Sequence, residues 1–171
     1  MPGKSFGEKW APMFAKFWLF SEGDGWEKRK ATDYFDIGWT PKETGKEIRI
    51  ELKASSENPN FRFQQIRHPK MHGKKSEYEM VLCIGVTAGS LEWWAIPTEA
   101  LDFLADNGKT KQENVVIVKH HGKKTVIWNE DVGFEDEGWF LADERNRKII
   151  QEYAATSERI REKILDHFLA T

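Results

Sequence analysis

Three charged residues, Asp36, Glu51 and Lys53, have the types and spacing for chemistry on a phosphate ester. Glu51 and Lys53 are two apart, so on a strand they share one face. Residues 36–53 read as two apolar-alternating runs around Pro41, Lys42, Glu43, Thr44 and Gly45, a pattern that predicts a β-hairpin. With the turn centred near Glu43, Asp36 falls opposite Ile50 or Glu51, and the three charges converge on one patch of sheet. Two carboxylates can hold Mg²⁺ through oxygen, and a metal so held polarises a phosphoryl oxygen and lowers the pKa of a bound water. A neighbouring lysine orients that water or offsets charge in the transition state. An acidic-x-Lys triplet alone is a weak signal, since composition provides about three by chance, and a solvated strand edge is its ordinary role. Only Glu51-Leu52-Lys53 occurs here. Asp33 competes with Asp36, but the two lie three apart and point to opposite faces of a regular strand, with Asp33 level with Lys53 or beyond.

The wider order carries more information. An aromatic residue, Asp36 and an apolar residue lead into the turn, then Ile48-Arg49-Ile50-Glu51-Leu52-Lys53-Ala54-Ser55-Ser56, then Phe61-Arg62-Phe63-Gln64-Gln65-Ile66-Arg67. Over about residues 5–100 this resembles the restriction-endonuclease-like, or PD-(D/E)xK, nuclease superfamily. It departs from the pattern in that Phe35, not proline, precedes Asp36. The resemblance implies a Mg²⁺-dependent DNA endonuclease, with Mn²⁺ able to substitute. Asp36, Glu51 and the Leu52 carbonyl are then the expected metal ligands, Lys53 assists the attacking water, and Gln64 or Gln65 positions water or phosphate. The superfamily often carries a further Glu on its first helix, for which Glu8 is the nearest residue; a cap or a solvated position is its competing role. Two readings stand beside this one: an inactive nucleic-acid-binding or structural module of the same fold, and a nuclease of RNA or branched DNA.

At 171 residues, without a Gly/Ser-rich or Pro-rich linker, the chain predicts a single domain. Its 39% hydrophobic and 13% aromatic content favours a packed core over disorder. The net charge of −2 gives no global basic field; a phosphate ligand then needs a local basic groove beside the acidic centre. Arg67, Lys70, Lys74 and Lys75, with His68 and His72, form a run without an acid, and with Ser55 and Arg62 they are the candidate nucleic-acid contacts. A solvated loop is the ordinary reading of such a run. The lone Cys83 lies in an apolar stretch, which excludes an internal disulfide and fits a reducing compartment. No signal-peptide core or membrane-length apolar run is present, so a cytoplasmic protein without a membrane partner is expected.

The elements that must position these residues follow from periodicity. The expected class is α/β (α+β): a mixed central sheet flanked by helices over about residues 5–106, then a β-hairpin and helical extension over 110–171. Trp10, Met13, Phe14, Phe17 and Trp18 have helical spacing and read as a core-facing stripe on a helix starting near Ala11, with Pro12 in its first turn. Ser5 and Glu8 have capping-box spacing. Residues 26–32 read as a charged edge strand. The run 80–86 is continuously apolar and predicts a central strand covered on both faces; 91–96 follows as its neighbour, with Trp93 and Trp94 on opposite sides. Thr98 is placed to cap a helix over 99–105. Residues 115–118 and 125–128 flank His120 and His121, a hairpin whose histidines read as turn residues because no further ligand lies at metal spacing. The acidic segment 130–137 reads as a loop. Asp143 then opens a helical region carrying Ile149, Ile150, Tyr153, Ile160, Ile164 and Phe168, with a break at Thr156-Ser157. Its stripe either closes the core or joins a homodimer, which would bring two centres to one duplex.

Overall fold

The computed structural model describes residues 2–28, 35–56, 61–67, 78–104, 113–120, 123–131, 137–142, 147–148 and 150–169; for 2–9, 62, 64–67 and the strands between 101 and 142 it describes the backbone alone. In chain order the elements are α1 (Pro2–Leu19), β1 (Gly25–Lys28), β2 (Ile37–Thr40), β3 (Ile48–Ser55), β4 (Phe61–Arg67), β5 (Met80–Val86), β6 (Leu91–Pro97), β7 (Leu101–Leu104), β8 (Glu113–His120), β9 (Lys123–Asp131), β10 (Glu137–Ala142), β11 (Ala154–Ala155) and α2 (Ile160–Leu169). Six strands form one mixed sheet in the order β1-β2-β3-β5-β6-β11. β3 and β5 run parallel, and the other neighbours in it are antiparallel. β4 pairs with β10, and β7-β8-β9 form a third sheet.

The hairpin at the centre forms as its turn chemistry requires. Gly45 adopts φ 67°, the left-handed conformation that closes the turn, and its N–H donates to the Pro41 carbonyl at 2.9 Å. β2 then returns against β3 with Ile37 opposite Ile50. The apolar run 80–86 is indeed a central strand, with β3 on one side and β6 on the other. The hairpin from β8 to β9 also forms, with His120 opposite Lys123.

The two faces of the six-stranded sheet are covered differently. Ile48, Ile50, Leu52, Leu82, Ile84 and Trp93 point toward Ala11, Ala15 and Leu19 of α1 and Ile160, Ile164 and Leu165 of α2. Val81, Cys83, Trp94 and Ile96 point the other way, against Phe61 and Phe63 of β4 and against Ile150. Trp93 and Trp94 thus serve opposite faces, as alternation predicts. Among the described residues both helices lie on one face, so the expected flanking by helices holds on that side alone. On the other side the crossover from β3 to the parallel β5 travels through β4. This strand comes so close that a Cβ placed on Gly85 would lie 2.4 Å from the Phe61 ring. Gly85→Ala is therefore expected to destabilise the fold by about 1–3 kcal/mol, the range for overpacking a filled core; urea unfolding measures it, and an unchanged midpoint would mean that β4 stands off the sheet.

Several local expectations are corrected. α1 begins at Pro2 and runs through Pro12, giving up the one bond that the missing proline N–H would make to the Glu8 carbonyl; Ser5 and Glu8 lie within the helix and form no capping box. The stripe read as core is divided, with Phe14 and Trp18 packed on the core while Trp10, Met13 and Phe17 are exposed. Residues 98–100 make a single 3₁₀ turn, and β7 replaces the helix expected over 99–105. The Thr98 hydroxyl donates to the Tyr78 carbonyl at 2.6 Å instead of capping, while β7 finds a partner in β8 that local propensity does not disclose. Glu130 and Asp131 belong to β9 and Glu137 to β10, not to the loop expected over 130–137, and 132–136 lie outside the described residues. The C-terminal region is interrupted as expected, but by an edge strand: Ala154 pairs with Trp94 and Ala155 with Trp93. The Ser157 hydroxyl then accepts the Trp93 indole N–H at 2.7 Å. Ile150, Ile160 and Ile164 are buried in the chain's own core, so these residues of the stripe take the first of its two expected roles and close the core. Residues 29–34, with Asp33, lie outside the described residues, as do Asp143 and Ile149. No helix among the described residues is long and apolar enough to cross a membrane.

Candidate active site

β3 carries a polar stripe on the face of the sheet that β4 covers. Its odd-numbered residues Arg49, Glu51, Lys53 and Ser55 share the face of Val81 and Cys83, because Glu51 aligns with Val81 and Lys53 with Cys83. Glu51 is 6% exposed and Ser55 also 6%, both buried among the apolar residues of the core. The Lys53 ammonium lies 3.6 Å from Glu51 Oε1. That separation is a charge pair longer than a hydrogen bond, and it compensates a carboxylate whose burial would otherwise be costly.

Asp36 stands immediately before β2 begins. Its N–H donates to the Ile50 carbonyl at 2.9 Å, and its Oδ2 accepts the Leu52 N–H at 2.7 Å. One residue thus grips β3 on both sides of Glu51, the place beside Ile50 and Glu51 that the hairpin register gives it. Ile50 and Leu52 turn their backbone polar groups to the same side, so the Leu52 carbonyl also points to the β2 edge beside Asp36. Asp36 thus bonds to the backbone on either side of Glu51, and Lys53 lies against the Glu51 carboxylate.

Both flanks of the centre involve residues that spacing did not reveal. At one end the Arg49 guanidinium donates to Glu79 Oε1 from Nε at 3.1 Å and Nη2 at 2.9 Å, the Arg49 N–H donates to Glu79 Oε2, and the guanidinium lies 5.8 Å over the Phe35 ring. This pairing ties β3 to the start of β5 and holds Phe35, the neighbour of Asp36. Arg49 was legible as a strand-spaced neighbour of Glu51, but Glu79 lies thirty residues on and carries no local signal. Tyr78 is buried on the same side; burial, then the Glu51 charge and Cys83, push its hydroxyl pKa well up. Burial likewise pushes the Cys83 thiol up, with Lys53 opposing and Glu51 adding to the shift. Neither group is a nucleophile at neutral pH.

The remaining expected residues lie on β4 or outside the described set. Gln64 and Gln65 occupy a bulge: Phe63 pairs with Phe140 and Ile66 with Gly138, so two residues on β4 span the place of one on β10. Bulges locally re-aim a strand and recur beside active sites. The side chains of Gln64, Gln65, Arg62 and Arg67 lie outside the described residues, as does the whole of Lys70, Lys74 and Lys75. Glu8 sits on α1, on the helical side of the sheet, and its side chain also lies outside them.

Among the described residues no three of His, Cys, Asp and Glu cluster to hold a metal unaided. The donor set at Asp36, Glu51 and the Leu52 carbonyl is all oxygen, which fits Mg²⁺, an ion commonly held by one or two carboxylates with water and substrate oxygens filling its shell. The described residues form an α+β chain whose mixed sheet holds the Glu51–Lys53 charge pair, with Asp36 bonded to the backbone on either side of Glu51. No protein-family model, curated protein or solved structure matches the chain.

Proposed function

We propose that this chain is a metal-dependent endonuclease that hydrolyses phosphodiester bonds in DNA. The observation that carries the reading is the grip of Asp36 on the backbone either side of Glu51, with Lys53 3.6 Å from the Glu51 carboxylate. A divalent cation held by these oxygens supplies Lewis-acid polarisation of a phosphoryl oxygen and acidifies water. The chain's own residues do the rest. Asp36 and Glu51 set the position of negative charge, and Glu51, shielded from solvent, keeps it undiluted by water. Lys53 Nζ carries a proton beside the attacked phosphate and offsets the charge that grows on it. The basic run at 67–75 offers contacts to the phosphates of a nucleic-acid substrate, contacts that carry no sequence information.

Purified protein incubated with supercoiled plasmid, linear duplex, single strands and RNA, in Mg²⁺ or in EDTA, tests the reading. Cleavage of DNA in Mg²⁺ that stops in EDTA supports it; inertness toward every substrate points to a binding module, and a preference for RNA moves the substrate class. Lys53→Met, which keeps the aliphatic stem, is expected to lower the single-turnover rate about 10²–10³-fold, the range for losing one preorganised electrostatic group. Metal affinity measured by calorimetry should not fall, because the ammonium is no ligand and its loss leaves Glu51 more available. A normal rate would reduce Lys53 to a structural counter-charge.

A further inference from the structure

α1 has apolar residues on two sides. Ala11, Ala15 and Leu19 face the sheet and are buried. Trp10 (38% exposed), Met13 (56%) and Phe17 (76%), with Phe20 (37%) just past the last helical residue, lie toward solvent. Together these exposures amount to about two whole side chains, roughly 400 Å² if each large side chain offers ~200 Å². That is about half of the ~800 Å² each partner contributes to a standard interface. Trp, Phe and Met are also the types enriched where interfaces are fully buried.

The spacing says what fits there. Positions 10, 13, 17 and 20 follow the three-then-four interval of a coiled-coil seam. The interval reads the same in both directions about Ala15. A two-fold axis lying between two α1 helices, level with Ala15, would set Trp10 against Phe20 of a second copy and Met13 against Phe17, so the stripe is complementary to itself. Its rings are already braced: Trp10 stacks on Phe14 at 6.4 Å, Phe17 meets Trp18 edge-on at 5.0 Å, and Phe20 meets Trp26 at 6.4 Å. Side chains held in place before docking lose less entropy when they dock.

We infer that the outward seam of α1 is a self-docking surface through which two copies of this chain associate antiparallel about a two-fold axis. α1 covers the face of the sheet opposite Glu51 and Lys53, so the two centres of the dimer point away from each other. On the proposed nuclease reading, each centre then acts on one strand by itself, and the dimer nicks without pairing its sites on one duplex.

Light scattering at micromolar concentrations tests the seam. Wild type should run at twice the chain mass, and Phe17→Glu at the mass of one chain with an unchanged far-UV spectrum, since burying two carboxylates at the seam is unfavourable. Leu169→Glu replaces another exposed apolar residue, 56% exposed, outside the seam, and should stay dimeric. A wild type that is monomeric throughout overturns the inference, as does a Phe17→Glu protein that remains a dimer. Asp36→Asn should also stay dimeric, so loss of cleavage and loss of association are read separately. If the wild-type dimer cuts both strands together where monomeric Phe17→Glu only nicks, the outward arrangement of centres is wrong.

Discussion

Replacing Glu51 with Gln, or Asp36 with Asn, is expected to lower DNA cleavage in Mg²⁺ by about 10³-fold or more while the protein stays folded. A metal acting as Lewis acid contributes several kcal/mol to transition-state stabilisation, and each ~1.4 kcal/mol is tenfold in rate. A neutral amide is a poor ligand for Mg²⁺ yet nearly the shape of the acid it replaces. At position 36 the Asn oxygen can still accept the Leu52 N–H that Asp36 Oδ2 accepts at 2.7 Å. Its NH₂ then stands where the second carboxylate oxygen was and presents hydrogens to a cation. At position 51 the glutamine leaves Lys53 without its partner, but Lys53 is 19% exposed on its side chain and reaches water by a small rotation. Single-turnover cleavage of supercoiled plasmid, beside thermal unfolding, measures both consequences. A wild-type rate in either variant would sink the proposed site. Asp33→Asn is the internal control; if it is the inactive one, the ligand assignment belongs to the other aspartate.

The second large effect concerns a clamp remote from that centre. Asp24 is fully buried on its side chain and takes four donors: Ser21 N–H at 2.9 Å, Lys42 N–H at 2.9 Å, the Trp39 indole at 3.0 Å and Arg161 Nη1 at 2.6 Å. Arg161 also donates to Glu43 at 2.7 and 2.9 Å and to the Leu19 carbonyl, and lies 5.3 Å over the Trp39 ring. One guanidinium therefore joins α2 to the end of α1, to β2 and to the β2–β3 turn. Arg161→Ala leaves the Asp24 charge buried and unpaired, a loss of about 3–5 kcal/mol from a total of about 5–15 kcal/mol. Urea unfolding should show a much lower midpoint; a shift of a few tenths of a kcal/mol would mean that water replaces the guanidinium.

The same clamp gives a signed pH dependence. Burial pushes the Asp24 carboxyl up, but Arg161, with the N–H groups of Lys42, Trp39 and Ser21, outweighs it and holds the pKa well below the ordinary carboxylate range. Glu43 is also held down, chiefly by its bond to Arg161. A carboxylate depressed in the folded state stabilises it fully above the unfolded pKa, about 3.9, and progressively less as acid protonates it. Stability from Asp24 should therefore be level at neutral pH and fall below about pH 4. In Arg161→Ala that acid-dependent part should shrink, because the Asp24 pKa returns toward its unfolded value.

The candidate site was legible because its geometry is local. A Pro-to-Gly turn sets the register of a hairpin, register sets which residues stand opposite, and alternation sets which share a face, so Asp36, Glu51 and Lys53 follow from eighteen consecutive residues. The continuous apolar run of β5, the opposed tryptophans of β6 and the hairpin at 120–123 were legible for the same reason. Whatever depends on two distant segments was not. Glu79 beside Arg49 and Arg161 beside Asp24, 137 residues apart, are chosen by the crossover and by the docking of α2. Ala154 and Ala155 become an edge strand only because β6 offers unpaired backbone groups there. In α1, periodicity announces an amphipathic helix but cannot rank two apolar sides. The small residues Ala11 and Ala15 let the helix approach the sheet closely, which buries that side and turns Trp10, Met13 and Phe17 outward; only the packed structure decides between them, because burial is a property of neighbours and not of spacing.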